Sequence, residues 1–357
     1  MSVSFRVESA SGSYDVFIEA GLFQSVIRAN KSDVVIADEW FATELTRNQI
    51  AAITVPATEA AKSMDAIPDL IVRLMQMGVN RQTRLLALGG GIVQDVAAFI
   101  ASVYMRGLEW VYIPTTVLAM ADSCIGGKSS INVGPYKNLA GTFHPPSSVV
   151  IDPSLTLTLT NEQRASGLIE AAKICYCRGR AAFAEYLAYT PTPSMPVEQI
   201  EEVIVASLNA KKWFIEIDEF DRGERLLLSF GHTFGHAIEG ASHFRIPHGI
   251  AVAAGILCAI ELGKQLGRSY SKADQLQLLD SHLRRLLSEI PNLADELKNL
   301  SAAEILDRFE ADKKHREDSY RVILVAESGA VELVKLPRDE HTRKSVRLAF
   351  TRALGMV

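Results

Sequence analysis

Leu85-Leu86-Ala87-Leu88-Gly89-Gly90-Gly91-Ile92-Val93-Gln94-Asp95-Val96 is the stretch that decides how this chain is read. Four apolar residues in a row suit a strand buried on both faces, and three glycines end it. Glycines at a strand-to-helix turn let the backbone approach a pyrophosphate, whose charge the helix N-terminus favours. The same glycines also make a plain tight turn, so the motif alone leaves both readings open. Similar short runs lie on either side. Val34-Val35-Ile36-Ala37 ends at Asp38, and Ala51-Ala52-Ile53-Thr54-Val55 follows. Trp110-Val111-Tyr112-Ile113 ends at Pro114-Thr115-Thr116, and Ser148-Val149-Val150-Ile151 ends at Asp152-Pro153. Apolar strands separated by helical segments predict a mostly parallel, doubly wound, Rossmann-like α/β domain. Asp38, at a strand end, could accept a ribose hydroxyl or cap the next helix.

Past about residue 155 the pattern changes. Glu162 to Tyr176, Val197 to Lys212, Leu226 to Gly240, Gly249 to Leu266, Lys272 to Leu287 and Ala302 to Lys314 carry helical periodicity. One strand pair is expected, Tyr320 to Ala326 with Gly329 to Val334, turning at Glu327-Ser328-Gly329. The sequence thus divides into an α/β domain over 1–154 and a mainly helical domain over 155–357, with the active site expected in a cleft between them.

The 357 residues are 48% hydrophobic and 22% charged, with a net charge of −5. No basic stripe suggests nucleic acid, and no polybasic cluster suggests a membrane surface. Met1-Ser2-Val3-Ser4-Phe5-Arg6 has no apolar signal core, and Gly249 to Leu262 is too short for a membrane span. Cys124, Cys175, Cys177 and Cys258 form no CxxC pair and read as reduced thiols of a cytoplasmic protein. An anionic substrate would need local lysines and arginines, because the overall field does not favour it.

The chemistry concentrates in Gly231-His232-Thr233-Phe234-Gly235-His236-Ala237-Ile238-Glu239 and Pro247-His248-Gly249. Three of the eight histidines fall within this span, two of them one helical turn apart. A lone histidine on an apolar face is usually a core residue. Three at this spacing point to a transition metal, completed by a carboxylate. His232 and His236 need not both be ligands, since one could handle a proton or a phosphate oxygen. Leu168-Ile169-Glu170-Ala171-Ala172-Lys173 places a carboxylate and an ammonium three apart in an apolar setting. Exposed pairs at that spacing are common, but a buried charge needs a partner, often a metal. Asp122-Ser123-Cys124-Ile125-Gly126-Gly127-Lys128 forms a flexible loop that can bring an ammonium to a phosphate, and Lys137-Asn138 adds donors. Lys211 and Arg225 could meet an anion; each taken alone reads as a surface charge.

With these motifs in order, the chain resembles the sugar phosphate cyclases of the 3-dehydroquinate synthase superfamily. The match is collinear from Asp38 to about Val325. It includes Glu59-x-x-Lys62, the Gly89 to Asp95 turn, Arg106-Gly107, Pro114-Thr115-Thr116, Asp122 to Lys128, Lys137-Asn138, Glu170-x-x-Lys173, Lys211, Arg225, Gly231 to Glu239, His248-Gly249 and Asp312-Lys313-Lys314. The resemblance implies an NAD-binding α/β domain and a helical metal domain, in a homodimer. It implies Zn²⁺, with Co²⁺ able to substitute, on Glu170, His232 and His248. NAD would meet Asp38, Glu59, Lys62, Gly90, Gly91, Asp95, Thr115, Thr116, Lys137 and the Leu155 to Thr158 segment. The phosphate of a sugar substrate would meet Lys128, Asn138, His236, one of Lys313 or Lys314, and Arg106 reaching across the dimer. Asp122, Lys173 and Lys211 would hold substrate hydroxyls near the metal. The implied reaction is a carbon–oxygen lyase step that uses NAD without consuming it: oxidation, phosphate elimination, reduction, ring opening and aldol closure.

Within the superfamily, Arg225 suits a substrate carboxylate, which favours 3-deoxy-arabino-heptulosonate 7-phosphate going to 3-dehydroquinate on the shikimate route to aromatic amino acids. Three departures point toward cyclases of secondary metabolism, which act on sedoheptulose 7-phosphate or another sugar phosphate to give valiolone-type or inosose-type products. Ser229 stands where Asn is usual in the substrate pocket, Gln94 where Gly is usual, and Phe143-His144-Pro145-Pro146 carries an unusual Pro-Pro. Metal-dependent polyol dehydrogenases share the two-domain plan but need no phosphate clamp. A non-catalytic relative would be expected to have lost ligands that this sequence retains.

Overall fold

The computed structural model describes residues 2–28, 32–134 and 136–355. It divides into two compact units: Met1–Leu159 with Pro196–Phe220, and Thr160–Met195 with Asp221–Val357. The linear cut at residue 154 misses the excursion of the chain back to the first unit through helix Val197–Ile217. That helix is tied there by Ser207, whose hydroxyl donates to the Ala121 carbonyl at 2.8 Å.

The first unit is built on a seven-stranded sheet, in the order Val3–Val7, Tyr14–Ile18, Ser148–Ile151, Trp110–Pro114, Leu85–Gly89, Val34–Asp38, Ala52–Val55. All neighbours run parallel except the first pair, an antiparallel hairpin with Val3 opposite Ile18. The doubly wound α/β class expected from the apolar runs is the observed one. Leu85, Leu86, Ala87 and Leu88 are wholly buried, as a central strand covered on both faces requires. The edge hairpin was not anticipated, because its residues alternate between buried and exposed and include Ser4, Arg6 and Asp15. A second small hairpin, Ile131–Val133 with Tyr136–Ala140, carries Lys137 and Asn138.

The second unit is mainly helical. Its central helix, His248–Gln265, is buried on nearly every face from Gly249 to Ile260. Around it lie Asn161–Arg178, His232–Ala241, Asp274–Ser288 and Glu340–Leu354, with the expected hairpin formed by Ser319–Val325 and Val331–Pro337. Asn161–Arg178 starts from a capping box between Thr160 and Gln163. The single helix expected from Leu226 to Gly240 is broken. Glu224–Ser229 is a 3₁₀ turn, Gly231 takes a left-handed conformation (φ 78°), and the helix begins at His232. A Cβ on Gly231 would lie 2.5 Å from Ile256 Cγ1 and 2.8 Å from the Val252 carbonyl, so only glycine fits that corner.

Candidate active site

In the first unit, Asp38, Gly90, Gly91, Thr115 and Thr116 lie at the carboxyl ends of three adjacent parallel strands, where open α/β sheets bind ligands. Gly90 precedes helix Gly91–Val103 and caps it with no side chain, so the first N–H groups of that helix point outward unpaired by any cap. A Cβ on Gly91 would meet nothing within 4 Å, while one on Gly90 would press to 3.1 Å from Thr116 Cγ2. Open space before a 13-residue helix, with bare N–H donors, fits a pyrophosphate. Thr115 donates its backbone N–H to the Gly89 carbonyl, and the Thr116 hydroxyl accepts from the Ala119 N–H. Asp38 caps the following turn, accepting from the Trp40 N–H at 3.0 Å, so it performs the capping role.

A polar network continues from the glycine turn. Lys62 is buried, with its ammonium 2.7 Å from Asp95 and 2.9 Å from the Asn138 amide oxygen. Asp95 also accepts from the Ser130 N–H; burial lifts its pKa, and the Lys62 charge opposes that lift. Glu59 pairs with Lys137 at 3.1 Å and accepts from Asn132 at 2.9 Å. The turn Pro153–Thr158 holds Leu155 buried, and the Thr158 hydroxyl donates to the Leu155 carbonyl. Arg106 is exposed in a tight turn at φ 72°, a costly conformation for a non-glycine residue.

Lys211 overturns the surface reading given to it above. It is buried, with its ammonium 2.6 Å from the Asp122 carboxylate and donating to the Ile125 carbonyl at 3.1 Å. Lys128 lies on the same loop, half-buried, its ammonium 5.9 Å from the centre of the Phe143 ring. The interaction is a cation–π contact at the edge of its range.

In the second unit, Glu170, His232 and His248 come together. Glu170 is fully buried, with one carboxylate oxygen turned to an ammonium and the other to two imidazoles. Its charge is met by Lys173, also buried, at 2.5 Å, so the exposed-pair reading fails. Glu170 Oε1 lies 3.5 Å from His248 Nε2 and 3.8 Å from His232 Nε2. Tetrahedral coordination with bonds of about 2.0–2.1 Å separates ligand atoms by roughly 3.4 Å. The three groups offer ligand atoms within 4.8 Å of one another and therefore fit a divalent metal, which would satisfy the buried Glu170 Oε1. His232 Nδ1 faces the Phe230 carbonyl at 3.3 Å, which places the proton on Nδ1 and the lone pair on Nε2.

Glycines make this convergence possible. Helices His232–Ala241 and His248–Gln265 touch backbone to backbone. A Cβ on Gly255 would lie 2.2 Å from the Gly231 carbonyl, and one on Gly235 would lie 3.0 Å from the Ala251 carbonyl. Gly249 donates to Ser166 Oγ at 3.0 Å, and a Cβ there would lie 2.1 Å from the Ser166 carbonyl. These close approaches bring the His232 and His248 rings to 5.2 Å between centroids. Gly255→Ala is expected to force the helices apart at Gly231, cost about 1–3 kcal/mol by overpacking, and weaken metal retention through His232. Urea denaturation and metal content of the variant read both effects; unchanged values for both would show that the seam does not set the site.

The charges here are strongly coupled. Burial pulls His248 down, but hydrogen bonds and charge from Glu170 and Glu239 outweigh it and raise its pKa to about 10. Burial and the charge of Lys173 push His232 well down. His236 is exposed at the surface yet closely surrounded; that crowding and the Lys314 ammonium push its pKa down. The Lys314 charge also opposes protonation of His232. Arg225, read as a surface charge, is buried with its Nε 3.3 Å from Asp221, and Ser229 ends the turn that carries it.

Residues 52–166 match the 3-dehydroquinate synthase N-terminal family and residues 167–315 the C-terminal one. A 3-dehydroquinate synthase from Dictyoglomus thermophilum is 33% identical over 355 residues, covering 96% of this chain and 97% of that protein. This chain belongs to the 3-dehydroquinate synthase family of sugar phosphate cyclases. Two solved structures share its fold at 22% identity. One is 2-deoxy-scyllo-inosose synthase complexed with carbaglucose-6-phosphate, NAD⁺ and Co²⁺, with a TM-score of 0.82 over 97% of this chain and 100% of that one. The other is 2-epi-5-epi-valiolone synthase from Streptomyces hygroscopicus subsp. jinggangensis 5008 with NAD⁺ and Zn²⁺ bound, with a TM-score of 0.78 over 99% and 100%.

Two departures from the 3-dehydroquinate synthase pattern have structural explanations. Gln94 donates to the Ser123 carbonyl at 2.7 Å and accepts from the Ser123 hydroxyl, tying the glycine-turn helix to the Asp122 segment. The Pro-Pro segment packs on the lysine loop. His144 donates its N–H to the Gly127 carbonyl at 2.7 Å, and a Cβ on Gly127 would reach 3.0 Å from Pro145 N. Burial pushes the Cys124 and Cys177 thiols up to about 12, so neither forms a thiolate at neutral pH. Among the described residues no helix is long and apolar enough to cross a membrane.

Proposed function

We propose that this chain converts 3-deoxy-arabino-heptulosonate 7-phosphate to 3-dehydroquinate with release of phosphate, using NAD and a divalent metal, Zn²⁺ or Co²⁺. The observation that carries the choice of substrate is Arg225. A buried guanidinium on a turn leading into the histidine helix suits a bidentate carboxylate partner. The likeness to a 3-dehydroquinate synthase over nearly the whole chain supports the same reading.

Glu170, His232 and His248 hold the metal, with Nε2 of each imidazole facing Glu170 Oε1. The Gly90–Gly91 corner, Asp95, Lys62, Glu59, Lys137, Thr115 and Thr116 hold NAD, together with Asp38 and the Leu155 to Thr158 segment. Bound there, the metal would lower the pKa of a substrate hydroxyl, and the nicotinamide would take up one hydride and return it. The chain's own groups do the rest. Lys173, Lys211 and Asp122 orient the sugar hydroxyls. Lys128, Asn138, His236 and Lys314 hold the phosphate as it leaves, helped by Arg106 of the partner subunit in a homodimer. Low pKa values keep His232 and His236 neutral, so each can present a lone pair at neutral pH.

Ser229, shorter by an amide than the residue usual in this family, favours a second reading: cyclisation of sedoheptulose 7-phosphate or another sugar phosphate lacking the carboxylate. The deciding test is phosphate release from heptulosonate, sedoheptulose and glucose phosphates, with each product identified by mass. Release from the heptulosonate alone supports the proposal, and release only from the others replaces it. Steady NADH accumulation without phosphate would instead indicate a polyol dehydrogenase. Arg225→Ala is expected to weaken the carboxylated substrate by about 1.5–3 kcal/mol, roughly 10- to 100-fold in kcat/KM, with far less effect on uncarboxylated sugars. Equal losses on both would remove Arg225 from substrate recognition.

A further inference from the structure

Glu239 lies on helix His232–Ala241, seven residues after His232 and three after His236, with only 14% of its side chain exposed. Its Oε2 is 3.3 Å from His248 Nδ1, while the other nitrogen of the same ring, Nε2, is 3.5 Å from Glu170 Oε1. The imidazole is thus gripped from opposite edges by two carboxylates on two different helices. We propose that Glu239 is a positioning residue: it takes the Nδ1–H of His248, fixes the ring's tautomer and rotation, and directs the Nε2 lone pair to the ion held with Glu170 and His232.

The inference rests on the metal reading above and adds to it a residue that acts through His248. His248 is the first residue of its helix, with about a third of its side chain exposed, so helix packing alone does not lock its rotation. A carboxylate on Nδ1 supplies the lock and also makes Nε2 a stronger donor. His232 reaches the same state by another route, with its Nδ1 against the Phe230 carbonyl. The two ligand imidazoles are thereby oriented alike, one by a backbone oxygen and one by Glu239. His236, Glu239 and His248 also offer atoms within 4.8 Å of one another, so the geometry admits a rival in which Glu239 binds a second ion directly.

The test uses Co²⁺ and the purified full-length protein stripped with chelator. Affinity is read by competition with a chromophoric chelator, coordination by the visible Co²⁺ spectrum, and fold by NAD binding and thermal melting. Glu239→Ala is expected to weaken Co²⁺ about 10- to 100-fold and alter the visible bands, with one ion bound per chain and NAD affinity unchanged. Glu239→Gln, whose amide oxygen can still accept from Nδ1–H without the charge, is expected to restore the bands and much of the affinity. The Gln variant carries the test should the Ala variant not fold; wild-type affinity and bands with the Ala variant, or a Gln variant as weak as Ala, overturns the proposal. Two Co²⁺ ions on the wild type and one on Glu239→Ala would make Glu239 a ligand and also overturn it. A wild type that binds no Co²⁺ sinks the metal reading itself, which separates that failure from failure of the positioning role.

Discussion

His248→Ala is expected to give a folded protein that binds NAD normally, retains no metal and has lost at least about 10³-fold in kcat/KM. The size follows from the several kcal/mol of charge stabilisation that a Lewis-acid metal supplies, at about 1.4 kcal/mol per tenfold. The fold is expected to survive because His248 opens its helix and is partly exposed, while the buried wall of that helix starts at Gly249. NAD binding is expected to survive because the glycine turn belongs to the other compact unit. Removing the imidazole would leave two of the three proposed protein ligands, where a catalytic site needs about three. Metal analysis after dialysis, NAD titration and steady-state rates measure the three parts. A variant with its full metal content would strike His248 from the ligand set.

The second large effect concerns Lys173. Its ammonium and the Glu170 carboxylate form a pair with 2% and 0% of their side chains exposed. Taking away one member of a buried pair strands the other charge, at a cost of about 3–5 kcal/mol. Lys173→Met is therefore expected to lose that much stability in the presence of chelator. Added Zn²⁺ should recover part of the loss, because the cation meets the same carboxylate; wild-type protein should gain less. Urea unfolding with and without Zn²⁺ gives all four values. Equal stability of variant and wild type in chelator would mean that Glu170 sheds its charge when alone. A loss that Zn²⁺ does not touch would separate Glu170 from the metal.

These two residues also mark where sequence reading stops. Glu170 and Lys173 were singled out because Leu168, Ile169, Ala171 and Ala172 surround them, and a charge in such a run is either paired or functional. Lys211 and Arg225 gave no such signal. Their neighbours Lys212, Asp218 and Glu224 are polar, yet both side chains are buried. The partner of Lys211 is distant in the chain: it donates to the Ile125 carbonyl, 86 positions away. Glu239 was quoted within the histidine stretch and given no role, because its partner is on the next helix and the spacing of nine does not by itself imply contact.

The local pattern of apolar residues determined the parallel sheet and the helical half, and the spacing of the histidines marked a metal site, since period and residue type are properties of neighbours along the chain; the set of Glu170, His232 and His248 came from the family resemblance. Only the tertiary structure decided that helix Val197–Ile217 packs with the sheet unit, that the chain turns left-handed at Gly231 to start the histidine helix, and that Nδ1 and Nε2 of His248 face different carboxylates. Those facts depend on which surfaces meet after the chain has folded back on itself, where a difference of one ångström at a glycine seam chooses between contact and clash.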